Sequence, residues 1–276
     1  MILTSGNETL DLTIPQVMGI LNVTPDSFSD GGKFAQIDNA VMHAKKMVEQ
    51  GASIIDIGGE STRPGASDVL LDEELHRVLP IIEQIKQEVD CWISIDTSKA
   101  QVMTEAVKSG AHIINDVRAL REQGALEAAV NANVPVCLMH MQGQPRSMQS
   151  APNYENVIAE VKAFLIERTE HCIKAGINPG NIIWDLGFGF GKSLVHNFTL
   201  LNSTREFLAS GYPVLTGVSR KSMFGQLLNR DINERLAGSL AGAMIAMQQG
   251  SKIIRVHDVA ETVDVMKVLK QVNTFS

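Results

Sequence analysis

The chain has 276 residues, of which 44% are hydrophobic and 20% are charged, and its formal net charge is −7. This composition excludes a disordered protein, and the length fits one α/β barrel domain spanning residues 1–276. The acidity argues against a nucleic-acid surface, and the longest apolar runs are too short to cross a membrane. Cys91, Cys137 and Cys172 lack CxxC spacing, so we expect core thiols in the reducing cytoplasm.

Short apolar runs recur along the chain and predict eight strands. They cover residues 16–23, 53–59, 91–97, 112–117, 135–140, 181–186, 213–219 and 252–257. Their continuous apolar character is typical of buried parallel strands. The segments that follow them predict helices over 36–50, 72–88, 99–109, 124–132, 154–175, 196–209, 222–248 and 258–272.

End signals support several of these helices. Asp72 is expected to be the N-cap of the second helix, with Glu73 and Glu74 in its first turn. Glycines follow four helices as C-terminal stops, at positions 51, 110, 176 and 250. Eight strand–helix units in about 250 residues favour a closed (β/α)8 barrel. The alternative is an open doubly wound sheet, although no GxGxxG follows the first strand.

Polar side chains lie at the C-terminal ends of the predicted strands. In a barrel these ends meet at one face, where catalytic groups collect. Five of them lie inside or beside apolar runs and would need partners when buried: Asp96, Asn115, Asp185, Lys221 and Arg255. Loop polarity alone is the alternative explanation, but it accounts poorly for all five, so we predict a shared polar pocket.

Three loops are rich in glycine and polar residues. Residues 24–32 and 58–65 could close over a ligand, with Arg63 offering a planar fork for a phosphate; ordinary surface turns are the alternative. Residues 187–192 lack the spacing of a phosphate-binding P-loop. We expect this third loop to turn sharply and to aim Phe188 or Phe190 at a flat ligand.

An anion site is predicted near the last strand. Arg255 and His257 alternate there and therefore share one side. With Arg63 and Asn22 they suit a diphosphate. His140 and His257 are too few for a zinc site, so a hydrated, phosphate-bound Mg²⁺ with Asn22 as its protein ligand is expected.

The ordered motifs of the chain resemble those of the bacterial dihydropteroate synthases. The matching segments are 18–32, 58–65, 95–98, 114–116, 139–141, 187–192, 219–222 and 255–258. The resemblance covers residues 16–272 and implies a (β/α)8 barrel, usually dimeric, that serves folate synthesis. One position departs from the family pattern: Leu186 stands where proline is usual, so a less stiff loop is expected.

The resemblance implies condensation of 6-hydroxymethyl-7,8-dihydropterin diphosphate with 4-aminobenzoate, releasing diphosphate. C–O cleavage before amine attack would give a cation, which Asp96 and Asp30 could stabilise, with Lys221 as a further catalytic group. The implied pterin contacts are Asp96, Asn115, Asp185, Lys221, Met139 and Phe190. The implied diphosphate contacts are Asn22, Arg63, Arg255 and His257.

The implied 4-aminobenzoate contacts are Phe28, Thr62, Pro64, Phe190 and Ser222. Ser222 begins a helix, whose N-terminus attracts a carboxylate. Sulfonamides would compete for the same place.

Three other functions stay open at this point. A pterin-binding methyltransferase would share the barrel and the pterin contacts without needing Arg63. A metal-dependent hydrolase would use Asp56, His140, Asp185 and His257. A non-catalytic pterin binder would account for Leu186, and turnover with the two substrates would exclude it.

Overall fold

The computed structural model describes residues 1–23, 33–61, 69–143 and 152–273. Its centre is a closed barrel of eight parallel strands, each hydrogen-bonded to two neighbours. The last strand of the barrel pairs with the first strand of the barrel, with Ile253 opposite Gln16 and Val256 opposite Gly19. The predicted (β/α)8 barrel is therefore confirmed, and the open doubly wound sheet is excluded.

Ten strands are present in the described part of the chain. The first two form an antiparallel hairpin, β1 (Ile2–Ser5) and β2 (Glu8–Asp11). The barrel strands are β3 (Gln16–Asn22), β4 (Ile54–Gly58), β5 (Trp92–Asp96), β6 (Ile113–Asp116), β7 (Val136–Met139), β8 (Ile182–Asp185), β9 (Val214–Thr216) and β10 (Ile253–Val256). All eight barrel strands lie within the predicted apolar runs.

The helices lie between and after the strands. They are α1 (Lys33–Glu49), α2 (Leu71–Glu88), α3 (Ala100–Lys108), α4 (Ala125–Ala132), α5 (Val157–Ala175), α6 (Leu194–Asn202), α7 (Thr204–Leu208), α8 (Ser222–Leu228), α9 (Leu236–Gln248) and α10 (Val259–Asn273). Short 3-10 turns cover Pro179–Asn181 and Ile232–Glu234.

Two predicted helices are each divided. Ser203 separates α6 from α7. Asn229, at φ 52°, ends α8 in the left-handed conformation, and Asp231 starts the following 3-10 turn with a capping box to Glu234. Asparagine tolerates the left-handed region and aspartate favours caps, so local side-chain bonding outweighs the apolar periodicity at 222–248.

The predicted cap of α2 is wrong. Leu70 is the N-cap and makes no side-chain cap bond, whereas Asp72 lies with Glu73 and Glu74 in the first turn. The acidic first turn is confirmed, and it favours the helix through the helix dipole. Glycines with positive φ follow α1, α3, α5 and α9 at the four predicted stops.

The bottom of the barrel is a closed apolar layer. Alternate strand residues face the interior, and one layer of them packs against Leu3, Leu10 and Leu12 of the N-terminal segment. The strand members of that layer are Met18, Ile54, Trp92, Ile113, Cys137, Ile183, Leu215 and Ile253. The hairpin was not predicted, and it plugs the end of the barrel opposite the polar strand ends.

The three cysteines are free thiols, with Cys137 and Cys172 buried and Cys91 partly buried. Among the described residues, no helix is long and apolar enough to cross a membrane.

Candidate active site

Arg255 lies at the centre of the polar cluster, two residues above the apolar layer on β10. Its Nε donates to Asp56 Oδ2 at 2.6 Å, and its Nη2 donates to Asp96 Oδ2 at 2.8 Å. Asn115 donates through Nδ2 to both oxygens of Asp56 at 3.3 Å. The two bonds of Arg255 use two of its five N–H groups.

The two carboxylates paired with Arg255 differ in access. The side chain of Asp56 is 0% exposed, whereas that of Asp96 is 11% exposed at the end of β5. Burial raises the pKa of Asp96 to about 7; Arg255 opposes this shift, and repulsion from Asp56 adds to it. Asp96 therefore titrates near neutrality.

Asp185, at the end of β8, is buried on the opposite side of the cluster. Its Oδ1 accepts a hydrogen bond from the Gly187 backbone N–H at 2.8 Å. Burial raises its pKa, and this hydrogen bond and the charge of Lys221 oppose the rise. Asp185 is paired in register with Met139 of β7, so a carboxylate lies beside an apolar side chain.

An apolar wall borders these polar groups. Val117, Met139, Met141 and Phe190 form a separate buried cluster. The Nζ of Lys221 lies 4.3 Å from the centre of the Phe190 ring, a cation–π contact. The site thus combines a flat apolar surface with carboxylates, an amide and a cation.

The glycine loop after β8 settles which phenylalanine faces the site. Phe188 packs in the outer core, whereas Phe190 belongs to the wall described above. Gly187, Gly189 and Gly191 all have positive φ, which confirms the expected sharp turn. Leu186 is 0% exposed and packs in the outer core. Its side chain therefore contributes buried packing, which the expectation of a less stiff loop did not include.

His257 and Asn22 lie at the rim. The backbone N–H of His257 donates to Ser219 Oγ at 3.2 Å, and its Nδ1 lies 3.0 Å from that oxygen. Burial, with the charges of Arg255 and Arg220, lowers the pKa of His257 to about 4, so the imidazole is neutral at pH 7. A Cβ on Gly58 would lie 3.8 Å from Asn22 Oδ1, so the glycine leaves space beside that oxygen.

Ser222 is exposed at the start of α8, directly after Lys221. The preceding Arg220 pairs with Asp258 and has φ 56°. This pair fixes the turn from which Lys221 and Ser222 emerge.

Five predicted site residues lie outside the described residues: Phe28, Asp30, Thr62, Arg63 and Pro64. The remaining predicted residues occupy one end of the barrel. Asp96, Asn115 and Arg255 are joined through hydrogen bonds that include Asp56.

Two residues at this end were not among the predicted pterin, diphosphate or 4-aminobenzoate contacts, although Asp56 was named for the hydrolase alternative. Asp56 is bonded to both Arg255 and Asn115, and its position inside an apolar strand was the available signal. Lys192 is 3% exposed and contacts His140 and the glycine loop. A lysine ending a glycine-rich run was the only signal for it.

Metal binding by clustered side chains finds no support in residues 1–23, 33–61, 69–143 and 152–273. No group of three or more His, Cys, Asp or Glu residues there could hold a metal ion. His140, a ligand in the hydrolase alternative, instead contacts Lys192 Nζ through Nδ1 at 2.9 Å. The single amide oxygen of Asn22 still fits a hydrated ion held mainly by phosphate oxygens.

The chain is similar to known proteins over the part that contains these site residues. Residues 18–257 match the family model described as pterin binding enzyme. The dihydropteroate synthase of Haemophilus influenzae is 58% identical over 264 residues, covering 96% of both chains.

Two solved structures are also similar. The Yersinia pestis dihydropteroate synthase in a sulfonamide drug complex has a TM-score of 0.95 and 53% identity, covering 99% of this chain and 100% of that one. The Xanthomonas albilineans dihydropteroate synthase with 4-aminobenzoic acid has a TM-score of 0.93 and 47% identity, covering 99% and 98%.

Proposed function

The chain belongs to the pterin-binding enzyme family, among the dihydropteroate synthases, and we propose how its residues perform that reaction. The enzyme joins 6-hydroxymethyl-7,8-dihydropterin diphosphate to 4-aminobenzoate and releases diphosphate, giving 7,8-dihydropteroate for folate biosynthesis. The observation that carries the assignment is the cluster of Asp96, Asn115, Asp185 and Lys221 beside the apolar wall.

The pterin occupies the space between this wall and the carboxylates. Its aminopyrimidinone edge is rich in N–H donors. The side-chain oxygens of Asp96, Asn115 and Asp185 are suited to accept hydrogen bonds from them. Lys221 contacts the ring carbonyl and nitrogen, and Met139 and Phe190 lie against the flat surface. The buried carboxylates then gain hydrogen bonds that offset the cost of their burial.

The diphosphate lies at the rim, held by Asn22, Arg63, Arg255 and His257. Arg255 keeps N–H groups beyond the two used by Asp56 and Asp96. Neutral His257 is a hydrogen-bond donor there, because Ser219 Oγ–H can donate to Nδ1 and leave the proton on Nε2. Asn22 would hold Mg²⁺, which supplies positive charge to the leaving group.

The reaction needs electrostatic stabilisation and no nucleophilic side chain. The C–O bond breaks first, because the electron-rich dihydropterin supports a cation at the attached carbon. Asp96 faces that charge as a carboxylate, and Asp30 is the second carboxylate assigned to stabilise it. The electron pair of that bond leaves with the diphosphate, and the amine of 4-aminobenzoate then attacks the carbon and loses a proton to solvent.

The acceptor lies outside the pterin, against Phe28, Thr62, Pro64 and Phe190. Its carboxylate lies near Ser222, where the backbone N–H groups at the start of α8 can donate. Sulfonamides occupy this acceptor position. Support comes from Ser222 being exposed directly after the lysine that contacts Phe190.

The enzyme works as a homodimer in the cytoplasm. Large apolar side chains are exposed along α8, the following 3-10 turn and α9: Leu227, Leu228, Ile232, Leu236 and Met244. Burial against a second copy would remove this apolar surface from water. The three free thiols suit a reducing compartment. Light scattering of the purified chain tests the dimer.

Turnover is tested by following diphosphate release in the presence and absence of 4-aminobenzoate. Release that depends on 4-aminobenzoate supports the condensation. A methyltransferase or a non-catalytic pterin binder would give no such release. Arg63→Ala should raise the KM for the pterin diphosphate or lower kcat with the fold intact, and a normal kcat/KM would refute the role of Arg63.

A further inference from the structure

We propose that Lys192 is a positioning residue: its buried Nζ ties the 187–191 loop to the end of β7 and thereby places Asp185 and Phe190 against the pterin. The inference rests on the pterin assignment of those two residues. In that assignment Lys192 contacts neither the pterin diphosphate nor 4-aminobenzoate, and it acts through the loop.

Lys192 Nζ is surrounded by acceptors from two segments. It lies 2.9 Å from the Gly187 carbonyl oxygen and 3.0 Å from the Phe190 carbonyl oxygen. From the end of β7, His140 contributes its carbonyl oxygen at 3.2 Å and its Nδ1 at 2.9 Å. One side chain therefore joins both ends of the loop to the neighbouring strand end.

Apart from Lys192, the loop is held by the Phe190 N–H, which donates to the Gly187 carbonyl at 3.0 Å, and by the Gly189 N–H, which donates to Asn197 Oδ1 at 2.7 Å. Its glycines make these bonds costly to keep in one conformation. Gly187, Gly189 and Gly191 have φ of 67°, 80° and 61°, and glycine has the largest conformational entropy to lose. The backbone also approaches the β7 segment closely. A Cβ on Gly187 would lie 1.8 Å from the His140 carbonyl oxygen, and one on Gly191 would lie 2.4 Å from that of Gln142.

Both proposed pterin contacts depend on this loop. The Gly187 N–H donates to Asp185 Oδ1 at 2.8 Å, so a shift of Gly187 moves or frees the carboxylate. The carbonyl of Phe190 is itself bound by Lys192, so the same shift turns the ring away from Met139 and Met141. Holding the loop therefore fixes one polar and one apolar pterin contact together.

Lys192 Nζ keeps its hydrogen bonds to the loop and to His140 whether the amine is protonated or neutral. Burial lowers the pKa of Lys192 to about 7 and that of His140 to about 2, while Asp185 and Lys221 are the other charges that act on Lys192. An ammonium can donate to Nδ1 and to two carbonyls. A neutral amine can accept from Nδ1–H and still donate to two of the three carbonyls. The bond count at Nζ therefore stays at three.

The main test is Lys192→Met, which keeps an unbranched side chain and removes all donors. We expect the dissociation constant for 6-hydroxymethylpterin, measured by calorimetry, to rise by about tenfold to a hundredfold, the scale of a small misplacement of binding groups. The KM for the pterin diphosphate should rise, and the amides of 187–191 should exchange hydrogen faster.

A second variant covers the case in which Lys192→Met does not fold. Tyr154 Oη donates to the Gly191 carbonyl at 2.8 Å, so Tyr154→Phe loosens the same loop by one bond. It should raise the pterin dissociation constant by about two- to fivefold, since one neutral hydrogen bond contributes about 0.5–1.5 kcal/mol.

The matched control is Thr169→Val. Thr169 Oγ1 accepts from Trp184 Nε1 at 2.8 Å on the outer side of β8, so the variant removes a buried bond on the same strand without touching the loop. It should lower thermal stability and leave pterin affinity unchanged. Unchanged pterin affinity in every folded loop variant would overturn the positioning role alone. Failure of the wild-type protein to bind the pterin would overturn the pterin assignment and the positioning role with it.

Discussion

The carboxyl group of Asp96 predicts how the reaction rate depends on pH. Burial raises its pKa to about 7, against the attraction of Arg255. Catalysis through a carboxylate requires the ionised form, so kcat/KM should fall as pH decreases through 7. With a pKa of about 7, roughly one site in eleven is ionised at about pH 6 and ten in eleven at about pH 8, a tenfold difference in rate.

The perturbation that isolates this group is Asp96→Asn. The amide keeps the shape and an acceptor for Arg255 Nη2 but loses the charge. The acid limb of kcat/KM should disappear, and kcat should fall by about 10²-fold or more, the scale of removing one preorganised electrostatic group. Diphosphate release at saturating 4-aminobenzoate, followed from about pH 5 to about pH 9, measures both quantities.

Asp56→Asn is the matched control, since Asp56 pairs with the same arginine but is fully buried. Its charge raises the pKa of Asp96 by repulsion, so this variant should move the acid limb to lower pH and retain it. An acid limb that persists in Asp96→Asn would assign the titration to another group. A loss confined to KM would make Asp96 a uniform binding group and refute its role in stabilising the cation.

Three further measurements test other parts of the site. Gly187→Ala, whose Cβ would lie 1.8 Å from the His140 carbonyl oxygen, should raise the pterin KM by about tenfold or more. Its control is Gly211→Ala, at φ 86° with open space around the Cβ, which should change only stability. An equal change of the pterin KM in both variants would refute the role of the close approach between Gly187 and His140. Leu186→Pro should lower the free energy of unfolding, measured in urea, by about 1–3 kcal/mol because buried packing is lost. Leu186→Met keeps most of that packing and should lower it by less than about 1.5 kcal/mol. A higher free energy of unfolding in Leu186→Pro would show that loop stiffness outweighs packing. Sulfonamides should compete with 4-aminobenzoate and not with the pterin, and the neutral amide of 4-aminobenzoate should bind a few-fold to about thirtyfold more weakly; noncompetitive inhibition together with equal binding of the amide would refute the carboxylate site near Ser222.

The barrel could be predicted from the sequence because its determinants are local and repeated. Each strand is a short apolar run, five of the eight end in a polar residue, and parallel strands of this kind are buried on both faces. The end of the barrel that holds the site follows from the same pattern, since all strand C-termini share one face. Asp96, Asn115, Asp185 and Arg255 were found by this reasoning.

Pairing among those residues depended on the closed barrel. Arg255 is 199 residues from Asp56 and 159 from Asp96, and only closure of β10 onto β3 brings their strands around one axis. The inward direction of each side chain follows from strand pleating, but the partner across the barrel depends on how the strands are staggered. The pairing of Asp56 with Arg255 could not be predicted for this reason.

Local bonding decided the remaining differences. The sequence determined the glycine turn at 187–191 and indicated that Phe188 or Phe190 would face a ligand, because only glycine adopts its positive φ values at little cost. Which phenylalanine faces the site, and the attachment of Lys192 to His140 52 residues away, required the tertiary structure. A contact between distant segments depends on the packing of whole elements, and no spacing along the chain encodes it.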